Sequence, residues 1–377
     1  MIYLDNNAST PVDPEVSDAT HSALRLYFGN PSSGHETGLR AKEVLEKARA
    51  QVADFIGSSP EEIFFTSGGT ESNNLAILGT AQTRRKGHII TSAIEHPSVT
   101  NPCVHLRGRG FEVTFVRASR DGRITPEDIK KAIRRETLLV TVMHANNETG
   151  VLQPVEEIGL LAREAGIAFH TDAAQTIGKV PVSVAKLNVD MLTVVSHKFY
   201  GPKGIGALYI RRGLRVSPIL FGAGHERGMR PGTENVPGVV GLGKACEMAR
   251  LYTTDRASHM KKLTDTLFAG LKKGIEGIRL NGHETLRLPN TLNVSIPGVD
   301  AIDLLERIRG RVAATAGSAC HSGQKSPSPV LTAMGISEAD ALSSIRLSTG
   351  KDNTEEEIRE AIGVIVDTVK ELRKKPA

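Results

Sequence analysis

From about residue 60 to 215, short apolar runs alternate with amphipathic stretches, and this rhythm constrains the chain more than any other feature. EIFFT (62–66), HIIT (88–91), FEVTFV (111–116), LLVTVM (138–143), IAFHT (167–171), MLTVV (191–195) and GALYI (206–210) read as strands. Runs that stay apolar, rather than alternating, belong to strands covered on both faces. Most are separated by segments of helical spacing, such as 126–135 and 154–165, each opened by a proline suited to a first helical turn. The pattern predicts an α/β layer structure around a mostly parallel seven-stranded sheet. Beyond about residue 250 the rhythm changes. Two helical stretches within 236–276 lead to TLNVSI, a helix at 300–309, an irregular segment at 313–330, SSIRLS and a final helix. That last helix opens on a capping box, Thr354 and Glu357, and carries Ile358, Ile362, Ile365, Val369 and Leu372 at helical spacing. We expect a large domain over 13–255 and a smaller α+β domain from 256–377, joined by the N-terminal dozen residues.

Composition excludes several classes. Of 377 residues, 39% are hydrophobic, 24% charged and 4% aromatic, with a net charge of +5. Basic pairs such as Arg84-Arg85, Arg134-Arg135 and Arg211-Arg212 are scattered, with no basic track interleaved with stacking aromatics, so no direct nucleic-acid binding is expected. The three cysteines, Cys103, Cys246 and Cys320, have neither metal-ligand spacing nor a disulfide framework, which suits a reducing compartment. The start, MIYLDNNASTP, lacks the pattern of a secretory signal, and no run is long enough for a membrane span. The expected setting is cytoplasmic and soluble.

Ligands of open α/β sheets bind beyond the carboxyl ends of the strands. The residues after each run are polar: SGGTESNN after EIFFT, SAIEHPS after HIIT, HANNETG after LLVTVM, DAAQ after IAFHT, SHK after MLTVV. SGGTESN offers a glycine turn at a helix N-terminus, suited to an anion, but neither a Walker A loop nor a dinucleotide fingerprint. Lys198 interrupts an apolar run in VVSHKFYGPKGIGALYI. Taken alone it is a solvated loop lysine, Asp172 a helix cap or ion-pair partner, and His96 a structural histidine. Taken together, Lys198, Asp172 and the 67–70 turn form the set that pyridoxal phosphate chemistry needs: an amine for the aldehyde, a carboxylate for the pyridine nitrogen and a phosphate cradle. Cys320 sits in TAGSACHSGQKSPSP, a segment without periodicity that is expected to be mobile, beside His321. That setting suits a reactive thiol, whereas Cys103 and Cys246 read as buried and inert.

These stretches resemble, nearly end to end, the cysteine desulfurases of the class V aminotransferase family, in the branch that feeds iron–sulfur cluster assembly. YLDNNASTP, FGNPSSGH, FTSGGTESNNLAI, EHPSV, NNETGV, HTDAAQTIGK, SHKFYGPKGIGALYIRRG, GHERGMRPGTENV, GSACHSG and IRLSTG stand in the family's order. The resemblance implies a fold type I pyridoxal-phosphate enzyme whose large domain binds the cofactor. It implies that Lys198 anchors the cofactor covalently and later moves the substrate's α-proton, with Asp172 at the pyridine nitrogen and Gln175 at the phenolic oxygen. Asn147 would lie near that oxygen and the substrate carboxylate, and His96 would stack on the ring. Gly69, Thr70, Ser196 and His197 would hold the phosphate, with Thr233 arriving from a neighbouring subunit of a homodimer. Arg346 would clamp the carboxylate of L-cysteine, with Asn30 also at the substrate, and Cys320 would take the sulfur as a persulfide while alanine leaves. No metal is implied. A sulfur-acceptor protein, such as an iron–sulfur scaffold, would be the partner.

Ser9 replaces the family's usual second threonine, and CHSGQKSPSPVL, KFYGP and RPGTEN look like the selenocysteine lyase branch. Pro97 after His96 does not, since animal selenocysteine lyases carry an acidic residue there. A selenocysteine lyase therefore stays open as the alternative. So do another pyridoxal enzyme in which Cys320 is incidental and a non-catalytic assembly subunit.

Overall fold

The structure is a computed structural model that describes residues 1–316 and 326–374. The apolar runs form the strands they predict. β1 is Ile2–Tyr3, and the central strands are β2 (Ile63–Thr66), β3 (His88–Ser92), β4 (Glu112–Val116), β5 (Thr137–Thr141), β6 (Ala168–Asp172), β7 (Met191–Val195) and β8 (Gly206–Ile210). β2 to β8 make one seven-stranded sheet in the order β2-β8-β7-β6-β5-β3-β4. From β4 to β7 the pairings are parallel, while β8 runs antiparallel to both β7 and β2. The order reverses direction around β3 and β5, which opens a crevice at the carboxyl edge.

Helices cover both faces: α1 (Pro14–Leu26), α2 (Glu36–Ile56), α3 (Gly69–Ala81), α4 (Pro97–Arg107), α5 (Pro126–Ala132) and α6 (Val155–Glu164). Pro126 opens α5 behind the Thr125 cap, whereas Pro154 stands just before the first turn of α6. One apolar cluster packs α2 against a sheet face that includes Ile63, Phe169 and Val194. A second, with Leu75, Ile77, Cys103 and Leu208, fills the other face under α3 and α4.

The 236–276 stretch corrects one expectation. It is a single helix, α7 (Val236–Gly274), of 39 residues. Its first half packs Val239, Leu242 and Cys246 into the large cluster. Its second half packs Leu263, Leu267 and Leu271 into a separate cluster with Leu292, Ile345, Ile358 and Ile365. The apolar stripe changes partner part-way along, so the pattern breaks where the backbone does not. Around this separate cluster, β10 (Thr291–Ser295) pairs antiparallel with both β9 (Arg279–Leu280) and β12 (Ser344–Ser348). Ile2 and Leu4 join this cluster, and β1 pairs in parallel with β11 (Val312–Ala313). The final helix, Glu355–Lys374, opens on the predicted box: Thr354 N–H donates to Glu357 (3.0 Å) and Glu357 N–H to Thr354 Oγ1 (3.2 Å).

Candidate active site

A cavity of about 950 Å³ opens at the carboxyl edge of the sheet. Gly69, Thr70, His96, Asn147, Asp172, Gln175, His197 and Lys198 line it from the sheet side, and Asp5, Asn7 and Arg346 from the other. Thr315 and Pro329, on either side of the undescribed segment, line it too.

Lys198 ends a single 3-10 turn, Ser196–Lys198, directly after β7. The close turn explains the glycine that follows, because a Cβ on Gly201 would stand 2.1 Å from Ser196 Oγ. Tyr200 accepts a φ of 70°, unusual for a side chain, and is pinned by Thr10 Oγ1 at its N–H (2.7 Å) and by Lys351 N–H at its hydroxyl (2.7 Å). Lys198 Nζ donates to the carbonyls of Asn7 and Ala8, each at 2.8 Å. Burial and the Arg346 guanidinium bring its pKa down to about 8, against the opposing pull of Asp172 and Asp5. An amine in that range is partly neutral near pH 7 and can act as nucleophile and base.

Asp172 closes β6, 7% exposed, with donors on both oxygens: Asn73 Nδ2 (2.7 Å) and Ala174 N–H (2.9 Å). Asn73 is held by Thr193 Oγ1 (2.7 Å) and reaches Ser98 Oγ (2.8 Å). His96 caps α4: its Nδ1 accepts from Ser98 N–H (3.1 Å), which leaves Nε2 as the protonated nitrogen of the neutral ring. Although His96 opens on the cavity, the surrounding wall lowers its pKa, with Asp172 opposing and Lys198 assisting. His197 packs Nδ1 on Ser9 Oγ (3.2 Å), and burial brings its pKa down to about 4.

The turn before α3 fits an anion. Gly68 has a φ of 147° with nothing within 4 Å of a Cβ placed there, and Gly69 lies against Val195, where a Cβ would stand 2.6 Å from Cγ2. The first N–H groups of α3 have no intrahelical acceptors. Glu71 takes one donor of this turn, accepting from Ser67 N–H (2.9 Å), and is itself paired with Arg230 Nε (3.0 Å). Among the described residues, three buried polar atoms on or beside the cavity wall have no partner: Asn147 Oδ1 and Arg346 Nε, which line it, and Ser196 Oγ, two residues before Lys198. Unpaired buried polar atoms are costly, and these three suit a ligand with phosphate and carboxylate oxygens and a hydroxyl. Arg346 spends its other nitrogens on Asn147 O (2.9 Å) and Asp5 (2.7 Å). The donor set fits pyridoxal phosphate.

Three of the expected residues do not line the cavity within one chain: Ser196 is fully buried directly after β7, and Asn30 and Thr233 stand apart. Asn30 lies on an exposed loop, its side chain accepting from Ser32 N–H (2.9 Å), and does not line the cavity. Thr233 is exposed and likewise does not line it. Cys320 lies outside the described residues, while Cys103 and Cys246 are buried, with the Cys103 thiol pushed up to about 12. Sequence reasoning missed Asn73, Asp5 and Asn7, all inside quoted motifs, together with Lys179 and Glu95. Glu95, next to His96, is buried and pushed up to about 8 by desolvation, despite donors from Ser92 (2.5 Å) and Met143 N–H (2.9 Å).

Fold and site together define a pyridoxal-phosphate-dependent enzyme. The chain belongs to the aminotransferase class-V family, which it matches over residues 2–360. It is 47% identical over 375 residues to a protein named cysteine desulfurase IscS from Methanosarcina thermophila, covering 99% of this chain and 93% of that one. A cysteine desulfurase IscS from Anaeromyxobacter sp. (strain K) is 48% identical over 377 residues, with the same coverage. Among solved structures, a NifS-like protein superposes with a TM-score of 0.92 at 40% identity, covering 98% of this chain and 99% of that one. SspA in complex with cysteine gives 0.84 at 38% identity, covering 94% and 100%. Among the described residues, no helix is long and apolar enough to cross a membrane.

Proposed function

We propose that the chain is a cysteine desulfurase: it converts L-cysteine to L-alanine and passes the sulfur to Cys320 as a persulfide. The observation that carries the reading is the convergence of Lys198, Asp172 and Arg346 on one cavity, in a chain whose relatives bear that name. Those relatives do not favour the selenocysteine lyase alternative.

Bound at the site, pyridoxal phosphate supplies an electron sink for the pair left on the substrate's α-carbon. Lys198 holds it and, as an amine with a pKa near 8, takes and returns the α-proton. Asp172, fixed by Asn73 and the Ala174 N–H, accepts the proton-bearing pyridine nitrogen. Gln175 and Asn147 would hold the cofactor's phenolic oxygen, and His96 would pack against its ring. The α3 N-terminus with Gly69, Thr70, Ser196 and His197 holds the phosphate, and Thr233 of a second subunit completes it in a homodimer. Arg346 pairs with the substrate carboxylate, with Asn30 also assigned to the substrate. The Cys320 thiolate attacks the substrate's sulfur. An S–S bond forms, the C–S bond breaks with its electrons going to the carbon skeleton, and a proton there completes alanine.

Thr315 and Pro329 on the cavity wall support a Cys320 segment that serves this site. The two separate apolar clusters support a large domain at 13–255 and a small one at 1–12 and 256–377. The sulfur would pass to an acceptor protein in iron–sulfur assembly or thiolation, in the cytoplasm; the relatives' name, cysteine desulfurase IscS, supports the first of these pathways. Incubating the holoenzyme with cysteine tests the reading: alanine is released, and Cys320 gains the mass of one sulfur. Cys320→Ser abolishes sulfur transfer. Unchanged sulfur release by that variant contradicts the assignment of Cys320.

A further inference from the structure

Lys179 is the one lysine, among the described residues, whose amine is buried at the back of the site (4% exposed). It does not line the cavity, and no carboxylate pairs with it among the described ion pairs. Its Nζ donates to Gln175 Oε1 (2.8 Å) and Asn7 Oδ1 (3.2 Å). Burial, with Lys198 and Arg346 nearby, lowers its pKa well below the ordinary lysine range. A buried amine without a counter-charge is expensive, so its two contacts need a reason.

Gln175 Nε2 donates to the Asn7 carbonyl (3.0 Å), which also accepts from Lys198 Nζ (2.8 Å). Asn7 in turn ties this point to the small domain through Thr291 Oγ1 (2.8 Å), Asn290 Nδ2 (3.0 Å) and Ser348 Oγ (2.9 Å). A carboxamide is nearly symmetric in shape, and only its partners decide which end is oxygen. Among the described hydrogen bonds, Lys179 is the sole donor to Gln175 Oε1. The lysine holds the oxygen end back and leaves the N–H end for the cavity.

We propose that Lys179 is a positioning residue: it braces Asn7 against Gln175 and fixes the Gln175 amide so that N–H, not C=O, faces the cofactor's phenolic oxygen. The inference rests on the preceding reading of Gln175 and Lys198. An N–H donated to that oxygen stabilises its anionic form, so losing the donor raises the pH at which the bound cofactor changes colour.

The test is a pH titration of the visible absorption of purified holoenzyme. Lys179→Met moves the midpoint up by about one to two pH units, the worth of a hydrogen bond to a charged group. Arg346, Asp172 and Asp5, the charged groups that act on the Lys198 amine, are untouched by the change. Gln175→Ala raises the midpoint similarly, and adding Lys179→Met to it gives no further shift. Lys179→Gln keeps the polar pocket paired but can accept as readily as donate. It therefore shifts the midpoint the same way by less, and serves where the methionine variant does not fold. A thermal melt on each variant separates core damage, which lowers the melting temperature without moving the midpoint. An unmoved midpoint in folded variants, or an equal shift with Gln175 absent, overturns the proposal. Absence of any cofactor band in the wild-type protein instead overturns the reading on which it rests.

Discussion

The two walls of the cavity are held in different ways. On the sheet wall, Asp172, Asn73, Thr193 and His170 sit on neighbouring elements of one core, linked by bonds of 2.7 Å from Asn73 to Asp172, 2.7 Å from Thr193 to Asn73, and 3.1 Å between His170 and Thr193. Each is fixed by a strand end or a helix whose backbone is already committed to the sheet. The facing wall is assembled from the two ends of the chain: Arg346 on β12 reaches Asp5 (2.7 Å), and Asn7 N–H donates to Ser348 Oγ (2.9 Å). Its geometry depends on the N-terminal segment docking on β10 and β12, through Thr291 and Ser348. The sheet wall is therefore suited to the group that must not move, the cofactor, and the facing wall to the one that comes and goes, the substrate.

If that division holds, substitutions on the two walls separate kinetically. Asp172→Ala on the sheet wall removes a fixed charge from the site of electron accumulation. Steady-state turnover should show kcat lower by about 10²- to 10³-fold with KM little changed. Arg346→Ala on the facing wall should instead raise KM about 10- to 100-fold with a smaller effect on kcat, the value of a charge-assisted pair to a carboxylate. A kcat loss at Arg346 as large as that at Asp172 would merge the two walls into one function.

The smallest effect is on pH dependence. The Lys198 amine has its pKa lowered to about 8, so it is protonated below that value and neutral above it. Capture of pyridoxal phosphate by apoprotein, followed by absorbance, should accelerate as pH rises through about 8 and then level off. Because Arg346 is one cause of the lowering, Arg346→Ala moves this midpoint upward. An unmoved midpoint would mean that the facing wall exerts no such field at the anchor.

The contrast between the walls also explains what was legible before the coordinates. Lys198, Asp172 and the Gly68-Gly69 turn sit directly after apolar runs, so locating the strands located them. Asn147 lies past a strand end too, in HANNETG, but its role was reached only through the family resemblance, and Arg346 had no such signal of its own. Asn7 and Lys179 were missed, because their work consists of contacts between residues far apart in the chain, 172 positions in the case of Lys179 and Asn7. Neither periodicity nor local composition encodes such a contact. The same logic covers α7, read as two helices because Val239 and Leu267 face different cores. Thr233 and Asn30 are exposed and do not line the cavity, so nothing within the single chain ties them to the site that the resemblance implied for them.

The proposed anchor of the cofactor is Lys198, although Lys179 lies close behind it. Reduction of holoenzyme with borohydride, proteolysis and peptide mapping should place the pyridoxyl group on the peptide containing Lys198 and leave Lys179 unmodified. A label on Lys179, on another lysine, or on none contradicts the account.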